Sequence, residues 1–206
     1  MDEVQLYDGH NVSRETYEKL RAYEALVQKW TRKINLISSS NIDDVWNRHI
    51  IDSTQLYPLM PDNTKLWADF GSGGGFPGIV MAILAAERSA ETSFLLVESD
   101  QRKATFLRTV NRELDLGLKV NAQRTESLDS LQADVISARA FMPLDGILSH
   151  VYSHIAQNGQ AILPKGRRAK AEIQQAKKTW RFDLKAIPSI TDPEASILVI
   201  ERIERV

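Results

Sequence analysis

Residues 69–78 read Asp-Phe-Gly-Ser-Gly-Gly-Gly-Phe-Pro-Gly. Gly71, Gly73, Gly74 and Gly75 crowd into five positions, where they let the backbone turn sharply and approach a ligand with no Cβ in the way; Pro77 suits the first turn of a helix. An apolar strand-like run, Leu66–Phe70, precedes this segment and a helical pattern follows it, which is the setting of a nucleotide-binding loop. A P-loop would need Gly-Lys-Ser/Thr after its second glycine, but Ile79 and Val80 follow Gly78. The spacing G-x-G-x-x-G is formally met by Gly73, Gly75 and Gly78, with Glu98 closing the next strand, so a dinucleotide such as NAD fits on spacing alone. An alternative register reads Asp69-x-Gly71-x-Gly73-x-Gly75. Its carboxylate would repel a pyrophosphate and attract a ligand carrying positive charge. In either register Glu98 can accept both ribose hydroxyls of an adenosine. Asp100 either shares that task or, the reading we favour, sits in the first turn of the next helix.

The second register resembles motif I of the class I methyltransferases, which bind S-adenosylmethionine; the sulfonium and amino group of that donor supply the positive charge Asp69 would attract. The acceptor is then narrowed by what the chain lacks. Attack at pyrimidine C5 uses a Cys nucleophile, and the chain has no cysteine. Exocyclic amino groups are commonly handled by an Asp/Asn-Pro-Pro-Tyr/Phe loop after the fourth strand, where this chain has Ser137-Ala138-Arg139-Ala140-Phe141-Met142-Pro143. Metal-assisted hydroxyl methylation wants clustered carboxylates and His, and no convincing cluster is present, so no metal is expected. What remains is an acceptor with no proton to lose, for example guanine N7, where positioning is nearly the whole mechanism.

The chain resembles the bacterial small-subunit (16S) ribosomal RNA guanine-N7 methyltransferases, the RsmG or GidB family. The likeness runs through Asn35-Leu36-Ile37, Arg48-His49-Ile50-Ile51-Asp52-Ser53, Asp69–Gly78 with its Phe76-Pro77-Gly78 ending, Val97-Glu98-Ser99, Arg102–Leu107, Ser137–Ala140 and Leu163-Pro164-Lys165-Gly166. The resemblance implies donor contacts at Gly71, Phe76, Thr125, Glu126 and Arg139, with Glu98 on the ribose, beside Asp69, Gly73 and Gly75 of the loop. Thr125 could equally cap a helix starting near Ser127. A guanidinium pressed against the nucleophile would oppose the cation formed at N7, so Arg139 is placed on the donor's carboxylate or on an RNA phosphate. Lys165, at the end of the fifth strand, shares the reacting crevice and is read with Arg139 as part of the catalytic centre, contacting a phosphate or guanine O6. Arg167 and Arg168 extend that surface toward RNA. The implied partner is 16S ribosomal RNA or the small-subunit particle, with a methyltransferase for another RNA or small molecule, or an NAD-binding oxidoreductase or sensing module, as alternatives.

These residues need a scaffold, and the rest of the sequence describes one. The 206 residues, 43% hydrophobic and 26% charged, suffice for one globular unit with a buried core. Net charge is -1, so attraction to nucleic acid must come from local asymmetry. The start is acidic (Asp2, Glu3, Asp8, Glu15, Glu18), while Lys165, Arg167, Arg168, Lys170, Lys177, Lys178 and Arg181 form a basic stretch with only Glu172 among them. No apolar run reaches 18 residues and Met1 is followed by Asp2 and Glu3, so neither a membrane span nor a secretory leader is expected; the absence of cysteine fits a reducing, cytoplasmic setting, and a monomer is expected.

Short apolar runs at 66–70, 94–98, 119–123, 134–138 and 159–163 read as buried strands, alternating with helical patterns at 78–87, 101–114 and 144–156. That alternation predicts an α/β, doubly wound, Rossmann-like methyltransferase sheet. A basic helix over 169–180 and strands over 182–187 and 196–203 follow, with an antiparallel strand at the C-terminus. The first sixty residues read as a helical extension packed on the core: Leu20, Tyr23, Val27, Trp30 and Ile34 share a helix face, Ser13 is its N-cap, and a second helix starts near Ser40 or Asn41. The boundary is placed in the Pro58–Thr64 linker, giving an extension over 1–60 and a donor-binding domain over 64–206. Arg48 and Asp52 form an i, i+4 pair bracing the extension, with an RNA role for Arg48 or His49 the minor reading. His150 and His154 read as ordinary helix residues, Trp30, Trp46 and Trp67 as core, and Trp180 as a possible base-stacking platform.

Overall fold

The computed structural model describes residues 3–7, 10–88 and 91–206. Asp2 and Asp8 of the acidic start lie outside the described residues. The chain opens with an antiparallel hairpin, β1 (Glu3–Tyr7) and β2 (His10–Ser13), where the sequence suggests only helix. The strands are too short and too polar to announce themselves by alternation. Ser13 then caps α1 (Arg14–Thr31), its Oγ accepting from Thr16 N at 3.2 Å, and Leu20, Tyr23 and Val27 are fully buried along one face. The second helix of the extension is not a regular α-helix. A 3-10 turn (Ser39–Asp44) leads into a π-helical segment (Trp46–Ile51) that ends in the single turn α2 (Asp52–Thr54), and a second 3-10 turn carries Pro58.

The remainder is a seven-stranded sheet. In chain order it comprises β3 (Leu66–Phe70), α3 (Gly78–Arg88), β4 (Ser93–Val97), α4 (Gln101–Leu114), β5 (Lys119–Asn121), β6 (Ala133–Ala138), α5 (Leu144–His154), β7 (Ile155–Lys165), α6 (Ala169–Ala176), β8 (Trp180–Pro188) and β9 (Ser196–Arg205). The spatial order is β5-β4-β3-β6-β7-β9-β8, with β3 to β7 parallel and β9 antiparallel to both its neighbours, which is the doubly wound sheet with an antiparallel C-terminal strand that the sequence implies. Core side chains fall into two clusters, one joining α1, α3 and α4 to one face and the other joining α5 and α6 to the opposite face. α3 is apolar all round because α1 and α2 cover the side turned away from the sheet.

Several boundaries differ from expectation, most of them by a few residues. α5 stops at His154, and Ile155 begins β7 across a register shift. α6 is shorter than the basic stretch, ending at Ala176. Trp180 opens β8 instead of closing that helix. It is 5% exposed, and its Nε1 donates to Asp145 Oδ1 at 3.1 Å, so it belongs to the core and offers no stacking face to RNA.

Candidate functional site

The reversal of strand order between β3 and β6 brings their carboxyl ends side by side, and in such sheets ligands bind there. The glycine loop leaves β3, Arg139 leaves β6, Glu98 follows β4 and Lys165 ends β7, so the topology gathers the expected residues along one edge.

Asp69 is fully buried under the loop. Its Oδ1 accepts from Ser137 Oγ at 2.6 Å, and that hydroxyl accepts from Trp67 Nε1 at 2.8 Å, while Oδ2 has no hydrogen-bond partner. Burial pushes its pKa up to about 6. Glu98, 7% exposed, accepts from Gly73 N and from Asp100 N, both at 2.8 Å, so it braces the loop as well as facing it. Asp100 caps α4, accepting from Arg102 N and Lys103 N, which is the helix-start role favoured for it.

The glycines divide by what surrounds them. A Cβ on Gly75 (φ +92) would lie 2.6 Å from Ile79 Cδ1 and 2.7 Å from Tyr23 Oη; one on Gly71 would run into the Phe141 ring. Gly73 instead looks onto open space, its nearest atom being Gly71 O at 3.7 Å. The loop's glycines thus sit in two settings: protein packs against Gly71 and Gly75, while Gly73 faces open space. Tyr23, which the helix pattern marks only as core, donates from its hydroxyl to Gly74 O at 2.5 Å and so ties α1 to the loop.

Arg139 is largely buried, and among the described residues its hydrogen-bond and ion-pair partners come from the N-terminal segment. Nη2 donates to Arg48 O at 2.9 Å and to His49 Nδ1 at 2.7 Å; Nη1 lies 3.5 Å from Asp52 Oδ2 and has no hydrogen-bond partner. The expected brace between Arg48 and Asp52 is not made, because Asp52 turns to Arg139 instead. Burial together with the adjacent Arg139 and Arg48 charges lowers His49 to about 3, so the ring is neutral and can accept from the guanidinium. Phe76 stacks on His49 with centroids 4.9 Å apart and tilts against Tyr23 at 5.2 Å, placing its ring between loop and extension.

Thr125 is buried and opens a 3-10 turn over Thr125–Ser127 whose N-cap is Arg124, without a side-chain cap; its carbonyl accepts from His154 Nε2 at 3.2 Å. The capping role considered for Thr125 is thus not used. Glu126 is exposed beside it, 3.9 Å from His150 Nε2.

Next to Arg139 the edge opens into a cavity of about 1420 Å³, lined among others by Arg48, Asp52, Lys165, Arg167, Arg168 and Thr191. Lys165 is already engaged: Nζ donates to Met142 O and to Glu172 Oε2, both at 2.8 Å, and Glu172 Oε2 also accepts from Leu144 N. These bonds join Lys165 to Met142 and to α6 while it lines the cavity. Arg167 and Arg168 are exposed on the cavity rim, Arg167 Nε 3.8 Å from Glu194 Oε2. Among the described residues no group of His and carboxylates is arranged to hold a metal ion, and no helix is long and apolar enough to cross a membrane.

Solved structures with a similar fold include the M. jannaschii TYW2 in complex with AdoMet (TM-score 0.56, 14% identity, 85% of this chain and 80% of that one) and a mutant of MtNAS in complex with S-adenosylmethionine (TM-score 0.59, 16% identity, 90% and 76%). At such identities they speak for the fold alone. Sequence relatives are much nearer: the ribosomal RNA small subunit methyltransferase G of Ruegeria pomeroyi is 48% identical over 95% of this chain and 96% of its own length, and that of Cereibacter sphaeroides is 50% identical over 95% of each. Residues 16–198 match the family model described as rRNA small subunit methyltransferase G, and with that match spanning most of the chain the protein belongs to this family, GidB.

Proposed function

We propose that this protein transfers a methyl group from S-adenosylmethionine to N7 of a guanine in small-subunit (16S) ribosomal RNA, acting as a cytoplasmic monomer. The observation that carries the donor is a pair of buried polar atoms without hydrogen-bond partners at the sheet edge, Asp69 Oδ2 and Arg139 Nη1. One is an acceptor and the other a cationic donor, which suits the ammonium and carboxylate of an amino acid; leaving both unmatched is costly. Glu98 beside the open Gly73 suits ribose hydroxyls, and Gly71, Gly75, Phe76, Thr125 and Glu126 border the same edge.

When bound, the donor supplies a methyl group on a positively charged sulfur. The protein's part is placement and electrostatics. Asp69 and Glu98 make the donor pocket negative, and Arg139 takes the carboxylate end while its ties to Asp52, Arg48 O and His49 hold its charge away from the acceptor. Neutral His49 adds no repulsion to the cation that forms at N7. The neighbouring cavity, rimmed by Arg48, Arg167 and Arg168, offers room and phosphate contacts for RNA. A guanine N7 gives up no proton, so no side chain needs to act as a base.

Calorimetric titration with S-adenosylmethionine and with NAD, followed by transfer of a radiolabelled methyl group to small-subunit RNA or particles, tests this reading. Tight donor binding and label in that RNA are expected. NAD binding without donor binding would overturn it.

A further inference from the structure

Arg139 takes its orientation from residues far away in the sequence. A largely buried guanidinium needs a counter-charge, and among the described residues Asp52 is the one carboxylate in ion-pair range of it, with the two side chains only 20% and 16% exposed. Asp52 is itself fixed by two donors. Thr191 Oγ1 donates to Oδ1 at 2.5 Å and Gln55 Nε2 donates to the same atom at 3.0 Å. Thr191 lies between β8 and β9, in a turn clamped to the extension: Gln55 Nε2 also donates to Ser189 Oγ, and Gln55 Oε1 accepts from Ile190 N. A continuous line of polar contacts thus runs from the C-terminal turn, through Asp52, to Arg139 Nη1, a buried nitrogen that has no hydrogen-bond partner.

We infer that Asp52 is a positioning residue for donor recognition: held by Thr191 and Gln55, it aims Arg139 Nη1 at the carboxylate of the donor's amino-acid end. The inference rests on the donor site proposed above and adds to it a residue that touches no donor atom. Loss of the Asp52 charge leaves Arg139 anchored at Nη2 by Arg48 O and His49 but frees the guanidinium plane to pivot about that anchor, carrying Nη1 out of line. Only ligands with a carboxylate should register the change.

The test compares two neutral thioethers that share the adenosine, S-adenosylhomocysteine, which keeps the amino-acid end, and methylthioadenosine, which lacks it. Both are titrated into the wild-type protein, Asp52→Asn and Thr191→Val. Asp52→Asn should weaken S-adenosylhomocysteine by about tenfold, the scale of a hydrogen bond to a charged group, while methylthioadenosine is unaffected. Thr191→Val should act in the same direction and less strongly, and it carries the test alone if Asp52→Asn does not fold. In an Arg139→Ala background neither substitution should have a further effect. Equal losses for both ligands, or no loss for either, would overturn the role of Asp52. A wild-type protein that binds neither thioether would instead remove the donor site itself.

Discussion

On the proposed reading, stability and donor binding pull in opposite directions at Asp69. Its folded pKa of about 6 lies above the ordinary 3.8, so the charged carboxylate costs about 3 kcal/mol at neutral pH, a cost relieved as the pH falls from about 6 toward 3.8. His49 runs the other way: its folded value of about 3 lies below the ordinary 6.5, so its contribution is complete above 6.5 and is lost as the pH falls. The two oppose each other across much of the same window, which makes a melting curve a poor readout and donor affinity a good one. Affinity for S-adenosylmethionine should fall about tenfold per pH unit below about 6, as the free protein's Asp69 protonates. Asp69→Asn should bind the donor weakly at every pH while melting no lower than wild type, and a variant with wild-type affinity would contradict the assignment. The glycines separate in the same manner. Gly75→Ala meets Ile79 and Tyr23 at a positive φ and should lower the melting temperature, whereas Gly73→Ala meets open space, carries only the backbone strain of about 1–2 kcal/mol, and should lose donor binding out of proportion to stability. Asp69, Glu98 and the glycines were legible because their spacing is local. The partner of Asp52 was not, since helical spacing points to Arg48 and nothing in the chain order points 87 positions ahead to Arg139.

At the scale of elements, the basic stretch splits into parts with different duties. Lys165 is spent on Glu172 and Met142 O, whereas Arg167 and Arg168, before and at the start of α6, project from the cavity rim. Arg167→Ala with Arg168→Ala should weaken RNA binding and flatten its salt dependence by about 0.7–0.9 for each phosphate no longer neutralised, with donor affinity unchanged. Titrations at several salt concentrations check this; an unaltered slope would make the rim a solvated face. The sheet elements were readable because buried parallel strands are continuous apolar runs, and β3 and α4 begin and end where the pattern places them. The hairpin β1–β2 and the π-helical segment were not. Their conformations are set by packing against the rest of the protein, including the Ser13 and Thr16 bonds to Glu87 on α3, more than by local periodicity.

For the molecule as a whole, one chirality rule and one packing event assemble the site. Right-handed crossovers place the ends of β3 and β6 together, and α1 with the segment through α2 closes over them, with Tyr23 on Gly74 O and His49 on Arg139. The N-terminal extension is in this sense part of the site, which the sequence foreshadows only as a cover for the core. Methylation of guanine N7 in small-subunit ribosomal RNA by this assembly is tested most directly by mass mapping of that RNA from cells lacking the protein, from cells with it restored, and from cells carrying Arg139→Ala. A 7-methylguanine should be present with the wild-type protein, absent without it and lost or strongly reduced in the variant; identical maps from all three, or a dependent methyl group on any other atom, would contradict the proposed reaction.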